Sequence, residues 1–198
     1  TQIGALTATE IAALSSRQIA ALGMDDAPSI LTVGALIPLK GQALVIEALP
    51  ALPGVHYRMA GAGEEQARYR ALAERLGVAD RVHFLGPVAN AALPMLYRAA
   101  NVVVMPSVSE GLANAWVEAL ACGTPIVISD AGGAAELVAS PVAGRIVERT
   151  PGAIASAVQA LLATPSAPAD VAATLGGRFD WDRNGRELAE HLRRCAQK

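Results

Sequence analysis

The chain alternates short apolar runs with helical patterns along most of its length. Six runs of strand length are rich in β-branched residues: 30–33, 55–60, 82–85, 102–105, 125–128 and 145–147. Helical apolar spacing predicts helices over 41–49, 64–76, 91–99, 114–121, 133–138, 153–162 and 183–195. Strands joined by helices of this length run mostly parallel, because each parallel connection needs a crossover. The alternation therefore predicts an α/β fold: a Rossmann-like, doubly wound, mostly parallel six-stranded sheet with helices on both faces.

The size and the apolar content of the chain are those of one globular domain. Of its 198 residues, 53% are hydrophobic and 17% are charged, which is typical of buried parallel strands. We predict a leading helical segment in residues 1–27, with its helix over 8–22, and a single domain over 28–198. Residues 164–168 are the one linker-like stretch. The abrupt start, without Met, suggests that the chain was cut from a longer protein.

Charge and cysteine content narrow the possible partners and the compartment. A formal net charge of −2 argues against nucleic acid, which needs a broad positive surface. Cys122 and Cys195 form no disulfide framework, so a reducing, cytoplasmic setting is expected. Apolar runs stay shorter than the roughly 18 residues of a membrane span, and the first residues lack the pattern of a signal peptide.

Glycines and polar residues follow the predicted strands at the edge where ligands bind in such sheets. Gly34 follows the first strand, Gly61 and Gly63 the second, and Gly86 the third, while the fourth leads into residues 106–114. One crevice lined by these turns is predicted. The alternative is that strand-to-helix turns need glycine for conformational reasons alone.

Lys40 is a candidate anion-binding residue. It is one of only two lysines among the 16 basic residues, and it stands beside Gly41 at a predicted helix start. Free backbone N–H groups and the helix dipole favour an anion there, and an ammonium group would complete a phosphate site. A solvated surface lysine is the alternative.

Glu110 and Glu118 are a second candidate pair. With Asn114 as the helix cap, Glu110 lies on the preceding loop and Glu118 about one turn into the helix. Carboxylates at these places suit a nucleotide sugar, because sugar and ribose hydroxyls donate hydrogen bonds. A solvated loop acid and a dipole-compensating acid are the alternative.

Other site classes fit the sequence less well. Gln66 stands where a dinucleotide fingerprint needs its third glycine, and neighbouring Glu64 and Glu65 would repel a pyrophosphate. Neither a Walker loop nor a nucleophile elbow is found. The three histidines, His56, His83 and His191, lack partners at metal-ligand spacing and are interpreted as structural. We also predict that Trp116 packs in the core.

Several segments together resemble family 4 glycosyltransferases. They are residues 33–41, 81–86, 96–100 and 109–125, followed by residues 130–133 and Glu136. The combination includes the family's two-glutamate motif and extends over about residues 28–195. The resemblance implies the C-terminal half of a GT-B fold, retaining transfer of a sugar from a nucleoside diphosphate donor, and no obligatory metal or other cofactor.

The resemblance also implies roles for individual residues. Lys40 would neutralise the diphosphate, and Glu110 would contact the donor sugar near the reacting centre. Glu118 would bind the ribose diol. Further donor-binding positions are Gly34, Gly61, Gly63, Phe84, Leu85, Gly86, Gly111, Leu112 and Ala113; of these, residues 111–113 would cradle phosphate or sugar through their amides, and residues 84–88 would line the base pocket.

Two departures from the family pattern bear on activity. Ala35 stands where the family commonly has an arginine, and the chain has room for the donor lobe alone. The acceptor, a polysaccharide or glycolipid in the family at large, would be held by the missing N-terminal lobe. The full-length parent protein would make peripheral contact with a membrane. The alternatives are a GT-B-like nucleotide-sugar epimerase and a non-catalytic nucleotide-binding domain.

Overall fold

The computed structural model describes residues 27–179 and 181–196. The predicted leading helix, residues 8–22, lies outside these residues. Six strands are found in the described part: β1 Ser29–Val33, β2 His56–Ala60, β3 Val82–Gly86, β4 Val102–Met105, β5 Ile126–Ser129 and β6 Gly144–Val147. The helices there are α1 Gln42–Ala48, α2 Gln66–Arg75, α3 Leu93–Ala99, α4 Asn114–Ala121, α5 Ala134–Leu137, α6 Pro151–Ala163, α7 Pro168–Ala173 and α8 Trp181–Ala196.

The strands form one parallel sheet in the order β3-β2-β1-β4-β5-β6. This is the doubly wound order, in which the chain returns to the middle of the sheet after β3. The predicted fold class is confirmed. In the described part of the chain, each strand begins and ends within one residue, and each predicted helix within two, of the sequence-based bounds.

Helices cover both faces of the sheet with separate apolar clusters. On one face α1, α2 and α6 pack against side chains such as Ile30 and Met59. On the other, α3, α4 and α7 pack against side chains such as Val103 and Ile128. Trp116 of α4 is fully buried in this second cluster, as predicted.

Two buried hydrogen bonds join the neighbouring strands β2, β1 and β4. The Thr32 hydroxyl donates to the carbonyl oxygen of Val104 over 2.6 Å, so the Tyr57 hydroxyl, 2.9 Å away, donates to Thr32. Burial raises the pKa of Tyr57, which keeps this donor protonated. β1, β2 and β4 are therefore held in fixed register just below the loops that end them.

Two local predictions were wrong. Ala113, in extended conformation, precedes the first turn of α4, and Asn114 is its first helical residue, without a side-chain cap. The stretch 164–168 is not wholly a linker, because Pro168 begins α7. Proline at a first helical position loses no hydrogen bond, so this residue starts a helix as readily as it marks a turn.

Candidate functional site

The crevice lies between the loops that follow β1 and β4. These strands are neighbours in the sheet, but α1 packs on one face and α4 on the other. The chain therefore leaves the two strand ends in opposite directions, which opens a gap at the carboxyl edge of the sheet. Residues 34–41 form one wall of this gap and residues 106–113 the other.

Lys40 and Glu110 meet across this crevice. The Lys40 ammonium donates to Glu110 Oε1 over 2.6 Å, and the two side chains are 25% and 11% exposed. Lys40 ends a short 3-10 turn, Pro38–Lys40, and Gly41 follows in left-handed conformation with φ of 74°. Lys40 is therefore not a freely solvated surface lysine, and its charge lies at the switch point of the sheet.

Close backbone contacts fix the two walls against each other. A Cβ atom on Gly41 would overlap the carbonyl oxygen of Pro106, and the Val108 amide donates to the carbonyl oxygen of Leu39 over 2.8 Å. Arg149, just before α6, donates from Nε to the same Pro106 oxygen over 2.9 Å. Arg149 could not be found from the sequence, because its contact depends on how α6, which follows it, packs against β4.

A buried polar pair supports the first wall from behind, and the sequence analysis missed it too. Gln42 is fully buried at the start of α1; its amide donates to the carbonyl oxygen of Ala35 over 2.8 Å and accepts from the Tyr69 hydroxyl over 3.2 Å. Burial raises the pKa of Tyr69 to about 12, so the donor stays protonated. The position of this glutamine, directly after Lys40 and Gly41, was the one feature of the sequence that could have indicated its role.

The glycines after β1 and β2 pack backbone against backbone. Gly61 has φ of 150°, and a Cβ atom there would overlap the carbonyl oxygen of Gly34. A Cβ atom on Gly63 would overlap the carbonyl oxygen of Leu36. Gly61 also donates its amide to Gly86 at the end of β3 over 2.8 Å. These residues bring the ends of three strands together, which gives them a structural role whatever they bind.

Phe84 and Leu85 lie on opposite faces of β3. The Phe84 ring packs against the cluster that includes α2, with the guanidinium of Arg70 4.3 Å from its centroid. Leu85 packs against the cluster on the other face. Their side chains therefore do not line one pocket together, and Gly86, with φ of 71°, turns the chain at the crevice edge between them.

The loop before α4 carries Glu110 and three of the predicted binding residues. The Gly111 carbonyl oxygen accepts from the Gly133 amide over 2.8 Å, which ties this loop to the one after β5. Leu112 is 39% exposed. Within the described residues, the amides of residues 111–113 have no hydrogen-bond partner. They lie just before the N-terminus of α4, where an anion is stabilised.

Glu118 lies on α4, about one turn from its start, and is exposed. Its Oε2 accepts from the buried Tyr97 hydroxyl over 2.9 Å. Burial, followed by this hydrogen bond, raises the pKa of Tyr97. The structure thus orients one oxygen of Glu118, but it does not place Glu118 in contact with the Lys40–Glu110 pair.

The predicted structural role of His56 and His83 can be tested by pH. Their ring nitrogens are 2.8 Å apart and their rings stack on β2 and β3. Burial, and then the charge of Arg58, lowers the pKa of both from 6.5. The unfolded chain therefore binds more protons than the folded chain as pH falls below 6.5, so stability is lost in that direction. We expect a lower Tm at about pH 5.5 than at about pH 7.5.

The matched variants for this test are His83→Gln and His191→Gln. The first should weaken the pH dependence of Tm because one of the two depressed titrations is removed. His191 is exposed on α8, so the second variant should show the same pH dependence of Tm as the unaltered chain. An identical pH profile for all three proteins would contradict a structural role for the pair.

The described residues offer neither a cluster of metal ligands nor a membrane-spanning helix. Residues 27–179 and 181–196 contain no group of three or more His, Cys, Asp or Glu side chains that could hold a metal ion. No helix in that part of the chain is long and apolar enough to cross a membrane.

Comparison with known proteins points to one family. The family model described as "Glycosyl transferases group 1" matches residues 16–174. A D-inositol 3-phosphate glycosyltransferase of Mycolicibacterium gilvum is 36% identical over 86% of this chain and 42% of its own length. A GDP-mannose-dependent alpha-(1-6)-phosphatidylinositol monomannoside mannosyltransferase of Mycolicibacterium smegmatis is 35% identical over 86% of this chain and 49% of its own.

A solved structure gives the same indication. The Anabaena protein HepE in complex with UDP-glucose superposes with a TM-score of 0.78 at 30% identity, covering 90% of this chain and 53% of HepE. The chain thus spans about two fifths to one half of the length of the relatives it matches.

Proposed function

Because this chain belongs to the group 1 glycosyl transferases, we propose that it is the donor-binding domain of a retaining, family 4 GT-B enzyme. The parent enzyme would transfer a sugar from a nucleoside diphosphate to an acceptor. The observation that carries this proposal is the Lys40–Glu110 pair at the switch point of the sheet. The pair supports the proposal because a cation suited to phosphate lies beside a carboxylate suited to sugar hydroxyls.

The diphosphate binds between Lys40 and the loop before α4. Lys40 supplies a full positive charge, and the amides of residues 111–113 supply hydrogen-bond donors at a helix N-terminus. As the bond from sugar to phosphate breaks, negative charge grows on the departing nucleotide. Fixed positive groups stabilise that charge and so lower the barrier.

The two glutamates bind the two sugars of the donor. Glu110 accepts hydrogen bonds from hydroxyls of the transferred sugar, and Glu118, oriented by Tyr97, accepts from the ribose diol. The turn at the end of β3, from Gly86 to residue 88, lies at the same edge of the sheet and holds the base. The complex of HepE with UDP-glucose supports a donor of this class.

The site has one cation fewer than is common in the family, because Ala35 stands where an arginine is usual. Its carbonyl oxygen is held by Gln42, so the loop keeps its course without an arginine at this position. Lys40 then carries the side-chain charge of this wall alone, which gives its replacement a large expected effect.

Acceptor binding belongs to the rest of the parent protein. Two relatives are named for inositol phosphate and phosphatidylinositol mannoside acceptors, which supports a polar or lipid-linked acceptor for the parent. A polysaccharide or glycolipid product, a cytoplasmic location and peripheral membrane contact complete this proposal. No metal or organic cofactor is part of it.

Titration calorimetry of the purified chain tests donor binding. UDP, GDP and ADP and the corresponding nucleotide sugars are titrated in turn, and one base should bind more tightly than about 1 mM. Failure of all of them to reach that affinity would refute the proposal.

Glu118→Gln tests the ribose contact in the same assay. We expect affinity to fall on the order of tenfold, because a charge-assisted hydrogen bond becomes a neutral one. Glu190→Gln makes the same change at an exposed position on α8 and should leave affinity unchanged. Equal affinities for the two variants would remove Glu118 from the site.

A further inference from the structure

Lys40 and Glu110 neutralise each other within the proposed phosphate site. Their 2.6 Å contact places a carboxylate directly beside the ammonium that the diphosphate would approach. The Glu110 side chain is 11% exposed, so its charge is poorly screened by water. A ligand at Lys40 therefore meets a positive and a negative group together.

The backbone that carries Glu110 is held on several sides. Gly132, with φ of 52°, lies so close that a Cβ atom there would overlap the carbonyl oxygens of Glu110 and Gly111. The Gly133 amide donates to Gly111. Two carbonyl oxygens earlier in the loop of Glu110 are also held. That of Ser107 accepts from the Ser129 hydroxyl at the end of β5, and that of Pro106 accepts from Arg149. These contacts fix the backbone from which the Glu110 carboxylate reaches Lys40.

A fixed carboxylate here distinguishes two ligands that share a base and a diphosphate. The terminal phosphate of a free nucleoside diphosphate has a second pKa of about 6 and carries close to two negative charges near neutral pH. The same phosphate esterified to a sugar carries one. Repulsion from Glu110 is therefore stronger for the free nucleotide, while the sugar offers hydroxyl donors that Glu110 accepts.

We propose that Glu110 is a specificity-determining residue that makes the site prefer a nucleoside diphosphate sugar to the free nucleoside diphosphate. By the same repulsion it favours release of the nucleotide product after sugar transfer. This inference rests on the proposed donor-binding function.

The test compares Glu110→Gln with the unaltered chain by calorimetry, using UDP with UDP-glucose and GDP with GDP-mannose. Near neutral pH the variant should bind the free nucleotide on the order of tenfold more tightly relative to its sugar ester. At about pH 5, where the terminal phosphate has gained a proton, the change should shrink to roughly threefold or less. Glu74→Gln removes one charge at an exposed position in the last turn of α2 and should leave the ratio unchanged.

The possible outcomes distinguish failure of the specificity role from failure of the proposed donor-binding function. If the unaltered chain binds a pair and Glu110→Gln changes both affinities by the same factor at both pH values, the specificity role is overturned and donor binding stands. If the unaltered chain binds neither pair, the proposed function fails for these donors and the inference fails with it.

Discussion

Replacing Gly61 with alanine is expected to lower the free energy of unfolding by about 4 kcal/mol, a large part of the stability of a domain of this size. Gly61 has φ of 150°, a conformation that essentially only glycine adopts. The added methyl group would also overlap the carbonyl oxygen of Gly34. β1 and β2 would have to separate at the edge where the site is built. Chemical denaturation followed by circular dichroism measures the loss.

Gly34→Ala is the matched control for this substitution. Gly34 has nearly the same φ, 147°, but a Cβ atom there has nothing within 4 Å. This variant should lose only the conformational part, about 1–3 kcal/mol. The difference between the two variants measures the close approach of the two loops. Equal losses would show that backbone conformation alone requires glycine at position 61.

The order and bounds of the strands and helices were predictable because their signals are local. A buried parallel strand must be apolar over four or five residues, as Val102–Met105 is, and a helix that covers it must repeat its apolar residues every three or four positions. The sequence contains both patterns in strict alternation. Few folds other than a doubly wound sheet accommodate that alternation.

The meeting of Lys40 with Glu110 was not predictable from local signals. The two residues are 70 positions apart, and their contact exists because β1 and β4 are neighbours in the sheet. From the sequence alone, Lys40 was predicted to bind phosphate and Glu110 to bind sugar, each on its own loop. Strand order, which depends on the packing of the whole domain, turns these two assignments into an ion pair.

The start of α4 was mispredicted for a similar reason. Asn114 has the side chain of a helix cap, but the preceding loop is fixed by the contact of Gly111 with Gly133. The chain then continues in extended conformation through Ala113, and Asn114 is the first helical residue. Tertiary contacts of this kind override a local capping preference.

Replacing Lys40 with alanine is expected to weaken nucleotide binding on the order of a hundredfold. The substitution removes the positive charge from the crevice wall and leaves Glu110, only 11% exposed, facing the phosphates without a partner. Calorimetry with the best-binding nucleotide sugar measures the loss. Lys40→Met, which keeps most of the aliphatic chain, should lose as much, since the charge carries the effect. Arg75→Ala, which removes an exposed cation at the end of α2, should bind normally.

Adding Glu110→Gln to Lys40→Ala divides that loss into two parts. One part is the lost attraction between Lys40 and the diphosphate, and the other is repulsion from the unpaired Glu110 carboxylate. Because the second part disappears in the double variant, its affinity for free UDP or GDP should recover several-fold from that of Lys40→Ala alone. Strictly additive effects would mean that the 2.6 Å contact contributes nothing to nucleotide binding. An affinity of Lys40→Ala equal to that of the unaltered chain would place the diphosphate elsewhere.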